Sequence, residues 1–270
     1  MSSRAGSNVV PMLVAAITGG AITFVCLNYQ RRHKEEKGGY DKCSGECNNK
    51  TTVENIMNLF TPETVLNLIR TRRSIFPKQF NGGAVPLSII QDMIEAARWA
   101  PTHKITQPWR FVVFESYESR VQLGQFLAHM YKKEQEANGK EVITSKYEKK
   151  ITSTKTSSHV IALVVDAGKK NPFVEEIASV ASAAQNMQLL ATSHGVGAYW
   201  STGCIYDKHE TLAFQDGVGI AKFHADVQSF LNLQPGQFCI GWMFVGSLDK
   251  SMKWPSGSRA EMNDHKVIWR

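Results

Sequence analysis

Two short stretches of this 270-residue chain hold residue types whose spacing suits chemistry. The first is IRTRRSIFPKQF, residues 69–80, where Arg72, Arg73 and Ser74 stand together directly after a helical pattern. Two guanidinium forks beside a hydroxyl suit bidentate recognition of a phosphate. A solvated helix end looks the same in sequence, so the triplet alone leaves both readings open. The second is WAPTHKITQPWRFVVF, residues 99–114, lying between a helical pattern and an apolar strand. A plain connection of that kind needs only ~2–6 residues of turn chemistry. Pro101 and Pro108 fix its backbone at both ends, and His103, Lys104 and Gln107 place polar groups between them. A stiff loop with donors between fixed points is suited to holding a planar heterocycle. Surface placement of the same side chains is the competing reading, and Trp109 reads as core.

Both stretches depend on elements that the periodicity predicts. Short helical patterns run over 53–60 and 63–71, just before the Arg-Arg-Ser triplet. In 86–99 apolar residues recur at helical spacing, at Leu87, Ile90, Ile94 and Ala97, with Pro86 near the first turn. FVVF at 111–114 and VIALVVD at 160–166 read as buried strands, and the polar region 117–158 as two helices broken at Asn138-Gly139. A helix over 175–194 ends at Gly195, a natural left-handed stop. GVGAYWSTG at 195–203 and FCIGWMFVG at 238–246 complete the strands, and 207–237 reads as an extra loop and helix. Alternating helices and strands joined by long connections give an α+β or mixed α/β class.

Composition narrows the field without naming a function. The net charge of +7 is split between residues 1–50, with seven Lys/Arg against four Asp/Glu, and the rest of the chain. Such a diffuse excess, with no matching motif, gives no argument for nucleic acid. Cys26, Cys43, Cys47, Cys204 and Cys239 are odd in number and irregular in spacing. They form neither a disulfide framework nor a metal-ligand pattern and read as free thiols in a reducing compartment. Residues 9–29, VVPMLVAAITGGAITFVCLNY, carry no charge and match the ~20 residues that span a bilayer core. A cleaved signal peptide lacks its cleavage site here, and a buried helix lacks its polar face. The expected organisation is a tail at 1–8, a single-pass anchor at 9–29, a Gly- and charge-rich tether at 30–50 and a folded domain at 51–270. Arg31, Arg32, His33 and Lys34 after the anchor put that domain on the cytosolic side, at the endoplasmic reticulum or the mitochondrial outer membrane.

Taken together the motifs are specific. RRS, then a helix ending in Ala-Pro, then APTHKITQPWRF, resembles the FMN-dependent nitroreductase family, above all its short single-domain bacterial NAD(P)H-using branch. ASVASAAQNMQLLATSHGVGAYWSTG and GWMFVGSLD are similar to that family's following helix, strand and last core strand. The resemblance covers about residues 66–246. It implies an α+β fold with a mixed sheet flanked by helices, and an intertwined homodimer with FMN at the subunit interface, each site drawing on both chains, and HKVIW as an arm reaching the partner. It further implies that Arg72, Arg73 and Ser74 hold the phosphate and ribityl chain, that His103 and Gln107 bond the flavin, and that Trp200, Ser201 and Thr202 line the opposite side. Arg259 falls where a further phosphate-binding arginine is expected. NADH or NADPH would pass hydride to FMN N5, a nitroaromatic or quinone would accept it in a ping-pong cycle, and no side chain would be catalytic. Lys104 or Arg73 would favour the reduced flavin.

The sequence departs from the family pattern in three places. Ser201 stands where the bacterial branch has Arg, 207–237 is longer than usual, and the N-terminal segment is an addition. Two alternatives share the flavin. One is a membrane-anchored relative of iodotyrosine deiodinase, a reductive dehalogenase whose lid residues do not align with YKKEQEANGKEVITSKYEKK. The other is a flavin-binding protein without turnover.

Overall fold

A computed structural model describes residues 60–167, 171–213, 219–223, 225–263 and 266–270, all within the unit Ile56–Arg270. The helical pattern at 53–60, apart from Phe60, the anchor and the tether lie outside the described residues. Among the described residues, no helix is long and apolar enough to cross a membrane.

Helix α1, Pro62–Thr71, starts where Thr61 Oγ1 accepts the Thr64 amide at 3.2 Å, with Pro62 in its first turn. Helix α2 spans Leu87–Arg98 and strand β1 Trp109–Phe114. Helices α3, Tyr117–Ala137, and α4, Thr144–Thr156, are separated at Asn138 and Gly139, where Gly139 takes φ +63°. Strand β2, His159–Asp166, leads through α5, Phe173–Ser193, to β3, Gly197–Ser201. Gly195, at φ +66°, turns the chain between the last two. Strands β4, Tyr206–Ala213, and β5, Gly219–Phe223, precede the short α6, Ala225–Phe230, and the final strand β6, Gln237–Gly246.

The main sheet has the order β1-β2-β6-β3, and all three pairings are antiparallel. This corrects the mixed sheet that the resemblance implied. The α5 crossover does join two strands of the same direction, β2 and β3, but they are not neighbours. β6 enters between them and pairs antiparallel with each. Segment 207–237 contains the expected helix, α6, but also a separate antiparallel pair, β4 and β5, that was not expected. Its polar sequence and the register shift between Asp207 and Thr211 obscure a strand pattern.

Strand β2 is buried from His159 to Val165, so its alternation sorts two cores. Ile161, Leu163 and Val165 pack with Ile90, Met93 and Ala97 of α2 and Val180, Ala184 and Met187 of α5. Val160, Ala162 and Val164 pack on the other face with Leu123 and Leu127 of α3 and with Trp242. In β6 a bulge opposite Leu163 and Val164 shifts the alternation at Gly241. A Cβ on Gly241 would stand 1.9 Å from Trp200 Nε1, so glycine there is what lets the indole lie across β6. The same indole donates to the Ile240 carbonyl at 3.3 Å.

Candidate active site

The site begins where α1 ends. At Arg72 the backbone turns extended, at ψ 128°, and three residues later the Ile75 amide donates to the Ala198 carbonyl of β3 at 3.0 Å. The Arg-Arg-Ser triplet is therefore laid against the edge of the sheet. Arg72 and Ser74 join Gln185 and Gln188 of α5 and Tyr199, Trp200, Ser201, Thr202 and Gly203 around one cleft of about 500 Å³. That volume lies within the ~300–1,000 Å³ usual for small-molecule sites.

Its walls are held from behind. Gln188 is buried, and its Oε1 accepts Arg72 Nη1 at 2.9 Å, fixing the guanidinium while most of its N–H groups remain available. Ser201 Oγ accepts the Gly203 amide at 3.2 Å, and buried Trp242 donates its indole N–H to the Gly203 carbonyl at 3.0 Å. Those two bonds shape the turn after β3. Cys239, in the core behind it, has its thiol pushed up to about 12 by burial and stays protonated.

The cleft is electropositive at the Arg72 end. Burial, then Arg259, then Arg73 lower the Arg72 pKa from its ordinary value, which places Arg259 close enough to be felt. The C-terminal segment brings it there: Trp254 Nε1 donates to the Thr71 carbonyl at 2.8 Å, and Gly257 lies against the Arg73 guanidinium. Arg73 itself does not line the cleft. It caps the end of α1, donating to the Arg70 and Arg72 carbonyls, where the helix dipole favours a cation. Arg259 donates to the Ser258 carbonyl and is exposed. None of the three arginines has a carboxylate partner among the described residues.

His103 and Gln107 lie elsewhere in the same chain. Their loop packs on the first turn of α5, where His103 Nδ1 pairs with the Glu175 carboxylate. Gln188, beside Arg72, is thirteen residues further along that helix, about 20 Å at ~1.5 Å per residue. One chain thus unites Arg72, Ser74, Trp200, Ser201 and Thr202, brings the charges of Arg73 and Arg259 near Arg72 without their lining the cleft, and holds His103 and Gln107 apart. Gln185, Gln188 and Tyr199 were missed in the sequence, where nothing distinguishes them from other residues of an amphipathic helix and a strand.

Neighbouring like charges with no counter-ion among the described residues predict stabilisation by an anion. Inorganic phosphate or pyrophosphate is expected to raise the melting temperature, with the rise largely lost in Arg72→Ala and reduced in Arg259→Ala. Equal rises in all three proteins, read by differential scanning fluorimetry at constant ionic strength, would rule out an anion site.

Comparison with known proteins places the chain in a family. The profile of the nitroreductase family matches residues 69–247. The Bacillus subtilis (strain 168) protein YfhC, assigned by name to the NAD(P)H nitroreductases, is 31% identical over 166 residues, covering 60% of this chain and 81% of YfhC. Among solved structures, a nitroreductase-like family protein from Bacillus cereus superposes with a TM-score of 0.59 at 22% identity, over 76% of this chain and 95% of the other. NfnB from Mycobacterium smegmatis, solved with NADPH, gives 0.53 at 17% identity over 77% and 99%. A Desulfovibrio desulfuricans protein solved with FMN gives 0.53 at 20% identity over 76% and 96%. These structures share the fold, and the profile spans the triplet, the loop and the cleft wall: the chain belongs to the nitroreductase family.

Proposed function

We propose that this chain is an NAD(P)H-dependent FMN oxidoreductase that reduces nitroaromatic or quinone acceptors by a ping-pong cycle. The observation that carries the reading is the cleft joining a guanidinium with no carboxylate partner among the described residues to a wall of hydroxyl, amide and aromatic groups. That donor set fits FMN. Arg72, with Arg259 adding charge, would hold the phosphate, and Ser74 and Gln188 stand where ribityl hydroxyls need partners. Trp200, Ser201 and Thr202 would face the ring. FMN, when bound, supplies hydride acceptance and donation; the protein's part is to bind, orient and exclude water. Family membership and the relative named for NAD(P)H nitroreductase support NADH or NADPH as donor.

The purified domain from Thr51 onward is expected to show flavin bands that bleach anaerobically with NADPH or NADH and return with a quinone or nitroaromatic. Double-reciprocal plots at several acceptor concentrations should be parallel. Persistent bands would favour a dehalogenase-like or non-catalytic role, and a colourless protein that takes up no FMN would end the flavin reading.

A homodimer completes the site in this proposal. The loop holding His103 and Gln107 stands about 20 Å along α5 from its own cleft, as measured by helix rise, so it serves the cleft of a second copy. Apolar surface available for that contact is plentiful. Helix α1 buries no residue, with Val65, Leu66 and Ile69 exposed, and Ile268 and Trp269 near the C-terminus are 71% and 89% exposed. Co-expression of Arg72→Ala chains with His103→Ala/Gln107→Ala chains should therefore restore about one FMN per mixed dimer, while either homodimer binds poorly. Mixed dimers as empty as their parents would exclude a shared site.

The apolar, uncharged segment 9–29 supports a membrane anchor with the domain facing the cytosol. Full-length protein should stay in the membrane pellet through alkaline carbonate extraction, while the chain from residue 51 should be released. Full-length protein in the supernatant would disprove the anchor.

A further inference from the structure

The loop at 103–107 has a backbone its own residues do not favour. Lys104, Ile105 and Gln107 take φ of +52°, +55° and +48°. A β-branched residue such as Ile105 is seldom found in that left-handed region. Such conformations persist where the surroundings over-determine them, and they cluster at ligand clamps.

Three bonds from the start of α5 hold this loop. Asn171 Nδ2 donates to the His103 carbonyl at 3.0 Å, Glu175 pairs with His103 Nδ1, and Thr106 Oγ1 donates to Glu176 Oε2 at 2.8 Å. The His103–Glu175 pair has side chains 48% and 41% exposed, where such a pair contributes little. Glu176 is different. It is 1% exposed, and its other oxygen, Oε1, is buried without a partner among the described residues. Carboxylates are almost never fully buried unless paired. Replacing both partners of a buried hydrogen bond by apolar groups of the same shape can be neutral or stabilising for a fold, so the carboxylate calls for a reason beyond packing. The residue it holds, Thr106, sits between two left-handed neighbours.

We propose that Glu176 is the positioning residue of the flavin loop. Its carboxylate locks Thr106, and through Thr106 the strained backbone at Ile105 and Gln107, so that His103 and Gln107 meet the flavin in one fixed orientation. The proposal rests on the reading of this loop as a wall of the FMN site. Glu176 does not touch the cofactor; it acts through the loop.

The test compares full-length wild type, Glu176→Ala, Glu176→Gln, Thr106→Val and the double variant Glu176→Ala/Thr106→Val. FMN affinity is read from recovery of flavin fluorescence, and hydrogen exchange is followed at residues 103–107. Glu176→Ala and Thr106→Val should each weaken FMN binding about tenfold and speed exchange in the loop. The double variant should be no weaker than the worse single one, because both remove the same bond. Glu176→Gln keeps an acceptor for Thr106 and should stay within about threefold of wild type. If Glu176→Ala does not fold, Thr106→Val, which keeps its shape, carries the test. Unchanged FMN affinity despite faster loop exchange would overturn the proposal, as would losses that add in the double variant. A wild-type chain that takes up no FMN would overturn the flavin reading itself, whatever the exchange rates show.

Discussion

The place of the cleft is decided by one backbone hydrogen bond, from the Ile75 amide to the Ala198 carbonyl at 3.0 Å. β3 is the edge of the main sheet, and an edge strand offers unpaired carbonyls to any segment that can reach them. Helix α1 stops at Thr71, and the chain leaves Arg72 extended, which delivers that segment. Without the bond the Arg-Arg-Ser triplet would be an ordinary solvated helix end. With it, Arg72 and Ser74 face residues from Tyr199 to Gly203, and a cleft forms between groups far apart in the chain.

Electrostatics follow from that placement. The protein gathers Arg72, Arg73 and Arg259 and provides backbone carbonyls and one amide oxygen as their partners. Dipoles orient a guanidinium but do not cancel its charge, so the cluster retains an attraction for an anion. The two neighbouring arginines have different tasks. Arg73 is tied to the end of α1, donating to the Arg70 and Arg72 carbonyls, and lies against the clip formed by Trp254 and Gly257. Arg72 is steadied by Gln188 and left able to bind.

Helix α5 links the two halves of the chemistry. Its first turn holds the Pro101–Pro108 loop through Glu175 and Glu176, and its later turns supply Gln185 and Gln188 to the cleft. A helix is stiff over this length, so the separation of loop and cleft is a property of the fold and not of loop conformation. The turn after β3 is fixed with similar economy by Trp242, and Gly241 leaves room for Trp200.

Most of the architecture was legible in the sequence because period and punctuation are local. Helical spacing marked α2, the Asn138-Gly139 break separated α3 from α4, Gly195 ended the α5 turn, and two apolar runs marked β2 and β6. The Arg-Arg-Ser triplet and the proline-bounded loop stood out in the sequence, since their residue types are unusual for simple connections. The strand order was not legible, because β6 enters between β2 and β3 through pairings that no local pattern encodes. The β4–β5 pair was hidden by polar composition. Likewise, the sequence by itself determined which residues are suited to an anion and a flat ring. Only the tertiary structure decided that Gln188 steadies Arg72, that Arg73 turns away, and that His103 and Gln107 stand at the far end of α5. The reason is that these depend on contacts between distant elements, which are set by how faces pack and not by the order of residues along the chain.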